Sequence, residues 1–195
     1  GVATSPVVTA YDQYNNVKTD YVGTITFSSS DGAATLPANY TFLLGDAGDH
    51  TFTNGVTFET TGEQTVDVDD GGANGQQAAI TVNPAALDHF TISGITDPVV
   101  AGTPTTPVVT AYDQFNNVKT DYLGTITFSS SDGAATLPAN YTYLVGDAGI
   151  HTFTNEVTFE TTGEHTVDVD DGAANGQQAA ITVNPAALDH FTVAS

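Results

Sequence analysis

Residues 6–93 return as residues 107–194, shifted by 101 positions, with ten differences among the 88 aligned pairs. Five of the ten exchange one apolar or aromatic side chain for another: Tyr14/Phe115, Val22/Leu123, Phe42/Tyr143, Leu44/Val145 and Ile92/Val193. A period near a hundred residues is longer than the roughly 20–50 of a solenoid unit. It has the size of a domain with its own core. The chain is therefore expected to carry two copies of one domain rather than many stacked turns.

The complete second copy shows seven segments in which apolar and polar residues alternate, separated by Gly, Asn, Asp and Pro clusters. That pattern predicts an all-β fold. The expected strands are Asp88–Ser93, Pro107–Asp113, Gly124–Ser130, Asn140–Val145, Ile150–Glu160, Glu164–Asp170 and Gln178–Val183, called A to G. Their inward positions are Phe90 and Ile92; Val109 and Ala111; Ile126 and Phe128; Tyr141, Tyr143 and Val145; Phe153, Val157 and Phe159; Val167 and Val169; and Ala179, Ile181 and Val183. No segment sustains a 3.6-residue period, so no helix is expected. Seven strands in about a hundred residues is the count of an immunoglobulin-like sandwich.

The repeat is out of phase with that domain. Gly1 aligns with Gly102, so the first copy begins after the segment corresponding to Leu87–Ala101. At the other end Leu188–Ser195 (LDHFTVAS) repeats Leu87–Gly94 (LDHFTISG) with no domain after it. The expected division is 1–86 for a first domain lacking its own strand A, 87–187 for a complete second domain, and 188–195 for a further strand A. Two explanations fit. The chain is a stretch of a longer array, or its last strand fills the vacant A position of the next copy. In either case Phe191 and Val193 take, in the next domain or in a neighbouring copy, the places held by Phe90 and Ile92 in the complete domain, and Leu87 and Leu188 pack at the joint.

Charge and composition narrow the partners. The chain has 23 acidic residues against two lysines, for a formal net charge of −21, and no cysteine. Such a surface repels the phosphates of nucleic acid and anionic membranes, and no apolar run is long enough to span a bilayer. Without cysteine there is no disulfide and no thiol nucleophile. Self-repulsion on this scale is relieved by salt or by divalent cations.

The run AYDQxNNVKTDYxGTITFSSSDGAATLPANYT, followed by HTFTNxVTFETTGExTVDVDD and AAITVNPAALDHFT, resembles the bacterial Ig-like tandem repeats of large extracellular surface proteins. The resemblance spans the whole repeat. It implies a β-sandwich in the stalk of an adhesin or in an extracellular filament, located outside the cell or on its surface and without enzymatic activity. Asn15-Asn16 and Asn116-Asn117 stand where such repeats more often have Gly-Asn. Asparagine tolerates the left-handed conformation, so the turn is expected to survive.

Candidate sites follow from strand parity. The B–C, D–E and F–G loops emerge at the end where strand A begins, and in the second repeat they carry Asp113, Asp121, Asp147, Asp170, Asp171 and Asn175, with Asp88 on the incoming segment. Calcium takes oxygen ligands from such residues and needs neither Cys nor His. The expected calcium ligands at a domain junction are Asp88, Asp113, Asp121, Asp170, Asp171 and Asn175; the alternative is that these acids only form turns. The Asp168–Asn175 run lacks the twelfth-position Glu of an EF-hand. The five histidines show no zinc spacing, and no Gly-x-Ser-x-Gly elbow is present. The leading expectation is a spacer, stalk or filament unit whose partners are further copies or neighbouring repeats. The alternative is an adhesin module binding carbohydrate or a receptor through Tyr11, Tyr21, Tyr112 and Tyr122.

Overall fold

The computed structural model describes residues 1–194. The chain divides into two compact units, Gly1–Asn83 and Pro84–Ser195. Their boundary lies just before the Pro84-Ala85-Ala86 segment, which the sequence reading assigned to the first domain. Ala85 belongs with the second unit because its N–H donates to Asp113 Oδ2 at 2.9 Å.

Unit 1 contains β1 (Ala3–Thr4), β2 (Val7–Thr9), β3 (Thr24–Ser29), β4 (Tyr40–Thr41), β5 (Asp49–Thr51), β6 (Val56–Thr57), β7 (Gly62–Asp69) and β8 (Asn74–Val82). Unit 2 contains β9 (Leu87–Ser93), β10 (Val99–Val100), β11 (Pro104–Thr105), β12 (Val108–Asp113), β13 (Thr125–Ser130), β14 (Tyr141–Thr142), β15 (Ile150–Thr152), β16 (Val157–Thr158), β17 (Gly163–Asp170) and β18 (Asn175–Asn184). Apart from two three-residue 3-10 turns, at Leu44–Asp46 and Val145–Asp147, there is no helix among the described residues. None is long and apolar enough to cross a membrane.

In unit 2 one sheet has the order β10-β18-β17-β13-β14 and the facing one the order β15-β12-β9, with a short β11-β16 ladder beside them. All pairs are antiparallel except β10 with β18. Alternation puts Val109, Ala111, Ile126, Val167, Val169 and Ile181 at zero or one per cent exposure between the sheets, in one continuous core. Unit 1 repeats the arrangement as β4-β3-β7-β8 against β2-β5, with a β1-β6 ladder. It has no strand beside β2 corresponding to β9, and none beside β8 corresponding to β10. Its fully buried apolar residues form two groups, one around Ile25, Phe42 and Phe52 and the other around Val56, Phe58 and Val66, with the half-buried Phe27 packed against both.

Three features depart from simple alternation. The chain leaves β14 at Thr142, and after the buried Tyr143 it enters the Val145–Asp147 turn, so Val145 is exposed rather than inward. The predicted strand E is two strands, because Asn155 at φ 58° turns the chain and β16 then pairs with β11 instead of β12. The β17–β18 register slips between His165 and Val167, with Ala180 at φ 55°, so Ala179 lies outside the core while Ile181 and Val183 stay in it. This is a β-bulge, one extra residue on β18. The Asn-Asn turns form as expected, with Asn15 and Asn116 at φ 62° and 61°.

Candidate functional site: an open strand groove in unit 1

β9 shows what completes the sandwich. It runs antiparallel to β12 with Phe90 opposite Ala111, Ile92 opposite Val109 and Thr91 opposite Thr110. Phe90 is 3% exposed and meets the Tyr122 ring edge-on at 5.3 Å. Its carbonyl lies so close to β18 that a Cβ on Gly176 would be 2.3 Å from it. Glycine at 176 is thus what allows the strand to sit there.

Unit 1 has the lining of this site without the strand. A groove of about 560 Å³ is bordered by Ala10, Tyr21, Ile25, Phe42, Val68 and Gly75, among others. Their counterparts in unit 2 are Ala111, Tyr122, Ile126, Tyr143, Val169 and Gly176. A second hollow of about 200 Å³ lies alongside, lined by Val8, Phe27, Val66 and Gly75. Val8, Ala10, Tyr21 and Val68 are only half-buried, whereas Val109, Ala111, Tyr122 and Val169 are buried. A Cβ on Gly75 would meet only Val68 Cγ2, at 3.4 Å.

The segment resembling β9 is exposed. Leu188–Ala194 forms no strand, and Leu188, Phe191 and Val193 are 74%, 84% and 98% exposed. From Leu188 to Val193 it differs from β9 only in Val193 for Ile92. Ser195 lies outside the described residues. Leu87 is packed against the core of unit 2 that contains Phe90 and Ile92.

Asp113 is fully buried, and its Oδ1 accepts the Phe115 and Asn117 N–H groups at 2.9 Å each, while Oδ2 accepts from Ala85. Burial pushes this carboxyl up, but the Asn117 side chain and these amides outweigh it and hold it below the usual carboxylate range. At Asp171 burial likewise pushes up, and the Ala174 and Ala173 amides and the Tyr122 hydroxyl bring the carboxyl down. Asp121 pairs with Lys119 at 2.7 Å, Asp88 with His89 at 2.9 Å, and Asp170 accepts the Gly172 N–H at 2.7 Å. Asn175 opens β18, opposite Asp170. Among the described residues no three His, Cys, Asp or Glu side chains are grouped to hold a metal.

The tyrosines proposed as a platform divide. Tyr122 is buried and Tyr21 half-buried: their hydroxyls donate to Asp171 at 2.9 Å and Asp70 at 2.7 Å, and their rings pack edge-on against Tyr143 and Phe42. Tyr112 stacks on His89 at 5.3 Å, and Tyr11 is exposed. Sequence reasoning missed Asp132. It is buried, and its carboxylate accepts N–H groups of Ala134, Glu160 and Thr161 at 3.0, 2.8 and 2.9 Å, tying the β13 end to the loop after β16. Asp31 does the same in unit 1 with Ala33, Glu59 and Thr60.

No protein-family model matches the chain, and no curated protein matches it. Solved structures that resemble it include InvD of Yersinia pseudotuberculosis, at 21% identity, covering 100% of this chain and 57% of that one with a TM-score of 0.45. The Escherichia coli adhesin FdeC matches at 18% identity over 94% of this chain and 60% of its own, TM-score 0.41. Domains 4 and 5 of the S-layer protein SbsC match at 23% identity over 92% and 80%, TM-score 0.38. A glycosyl hydrolase family 2 protein of Bacteroides cellulosilyticus is also among the matches, at 11% identity. At these scores none of them assigns a family or an activity to the chain.

Proposed function

We propose that the chain is a structural unit of an extracellular or cell-surface assembly, a spacer or filament of sandwich domains joined end to end. Leu188–Val193 of one copy completes unit 1 of the next by adding a strand beside β2. One observation carries this reading: unit 1 keeps the lining that β9 covers in unit 2, with Phe42 in place of Tyr143, while a near-copy of β9 is exposed in the same chain. Strand addition supplies ladder hydrogen bonds along the edge and pockets for alternate side chains. Here Phe191 would take the Phe90 site and Val193 the Ile92 site. The half-buried Val8, Ala10, Tyr21 and Val68 would then be covered as Val109, Ala111, Tyr122 and Val169 are in unit 2. The resemblance to surface-protein repeats and the strongly acidic, cysteine-free composition suit such a role.

Gly75→Ala tests the reading at the groove itself. The added methyl has room in unit 1 as it stands, but in the completed sandwich it would collide with the incoming strand's carbonyl, as the Gly176 geometry shows. Overpacking of this kind costs about 1–3 kcal/mol. The expected result is an unchanged circular dichroism spectrum and an association at least about 5-fold weaker in sedimentation velocity. Association equal to that of the unsubstituted chain would remove the groove from the assembly.

A further inference from the structure

In unit 2 the arriving strand is held by more than its apolar side chains. Before β9 begins, the Ala85 N–H donates to Oδ2 of Asp113 at 2.9 Å. The same carboxylate closes the β12 turn through its other oxygen, which accepts the Phe115 and Asn117 N–H groups. Beside it the β9–β12 register shifts, so that Tyr112 faces His89 and Asp113 faces Leu87. One buried carboxylate therefore binds both the local turn and the entering linker, at the point where the strand register is set.

Asp12 is the unit 1 counterpart. Its turn is already built: Oδ1 accepts the Tyr14 N–H at 2.8 Å and the Asn16 N–H at 2.9 Å, and the Asn16 side-chain amide donates to Oδ2 at 3.0 Å. Unlike Asp113, this carboxylate is half-exposed, and it lines the open groove. The residue that corresponds to Ala85 in the C-terminal segment is Ala186, which is exposed and lies two residues before Leu188. We propose that Asp12 is the register-setting acceptor of the joint, receiving the backbone N–H of Ala186 from the copy that donates Leu188–Val193. This rests on the strand-addition reading above. It goes further by assigning a polar contact to Asp12 in the groove lining, one that would hold the Asn184-Pro185-Ala186-Ala187 linker of one copy against the other.

The geometry also explains why the contact is selective. A strand slipped by one residue would turn Phe191 away from the groove, and a slip by two would leave the Ala186 amide without Asp12. An amide donating to a carboxylate is among the stronger hydrogen bonds, and its loss corresponds to a fall in affinity of about 10- to 100-fold.

The test uses the full chain carrying Phe191→Asp as receiver, so that its own C-terminal segment does not compete. The probe is a synthetic peptide of residues 184–194, measured by fluorescence anisotropy, with and without N-methylation at Ala186. The expected result is binding of the unmodified peptide and about 10- to 100-fold weaker binding of the N-methylated one. Asp12→Asn, which keeps an acceptor for the turn but turns an NH2 group toward the linker, should weaken the unmodified peptide and reduce the difference between the two peptides. If both peptides bind equally well to the Asp12 receiver, the latch is wrong and strand addition stands. If neither binds, strand addition itself fails, and the latch with it.

Discussion

Replacing Phe191 by Asp is expected to abolish head-to-tail association while leaving both units folded. Phe191 is 84% exposed, so the substitution removes nothing from the isolated chain. Its counterpart Phe90 is 3% exposed, opposite Ala111 and edge-on to Tyr122 at 5.3 Å. Truncating such a phenylalanine costs about 3–5 kcal/mol, a loss of at least about 100-fold in association, and a carboxylate placed among apolar side chains adds a desolvation penalty. Sedimentation velocity should be run in salt near 0.5 M, because the formal net charge of −21 makes each copy repel the next and screening shortens that repulsion. The unsubstituted chain should form concentration-dependent oligomers that the variant does not. Phe90→Asp is the informative contrast: the same change inside unit 2 should unfold that unit instead of only preventing assembly.

The second large effect concerns stability. Asp132→Ala would leave the N–H groups of Ala134, Glu160 and Thr161 without their acceptor. Groups of this kind cost about 1–3 kcal/mol each when stranded. With partial rehydration the expected loss is about 3–5 kcal/mol, or more than about 10 °C in the unit 2 midpoint. The same carboxylate makes unit 2 acid-sensitive. Burial raises its pKa, but the Thr161 and Glu160 amides, the Thr161 hydroxyl and the Ala134 amide together lower it further, so the folded value lies well below the ordinary one. A depressed folded pKa contributes stability that is present in full above the unfolded value near 4, and lost as the pH falls below it. Urea unfolding of unit 2, followed by hydrogen exchange in β17, should show that loss between about pH 5 and pH 2. Asp132→Asn should be less stable at pH 7 and show a shallower decline over the same window. An equally steep decline would place the acid sensitivity elsewhere.

Much of the fold was legible before any coordinates. The period of 101 marked a domain, and the alternation around Phe90, Val109, Ile126, Phe153, Val167 and Ile181 marked the two facing layers. Alternation misled where the backbone departs from extended geometry. Tyr143 and Val145 share a parity, yet a 3-10 turn begins at Val145 and sends it to solvent. Ala179 has core parity, but the bulge at Ala180 shifts it out, and nothing in QQAAITV distinguishes a bulged strand from a straight one. The acids were the hardest to read. Asp113 and Asp132 stand in turn-rich stretches where solvated Asp is the ordinary expectation, and only the arrival of distant N–H groups, Ala85 in one case and Glu160 with Thr161 in the other, makes them internal. The open groove was legible in part: the repeat showed which residues of unit 1 correspond to those that β9 covers in unit 2, while their half-burial and the room beside Gly75 are three-dimensional facts.

The central claim is that the C-terminal segment of one copy lies beside β2 of another in the register that β9 adopts beside β12. Tyr112 faces His89 in that ladder, so Tyr11 of the receiver should face His190 of the donor. Directly opposed residues in an antiparallel pair have Cβ atoms about 4.5–5.5 Å apart, near enough for a disulfide after a small adjustment. The chain has no cysteine of its own, so the double variant Tyr11→Cys with His190→Cys reports on this pair alone. Mild oxidation followed by non-reducing electrophoresis should give a ladder of covalent dimers, trimers and longer species. Tyr11→Cys with Ala194→Cys, out of register, should give none. No cross-linked product from the in-register pair, or only a monomer closed on itself, would contradict assembly of one copy into the next.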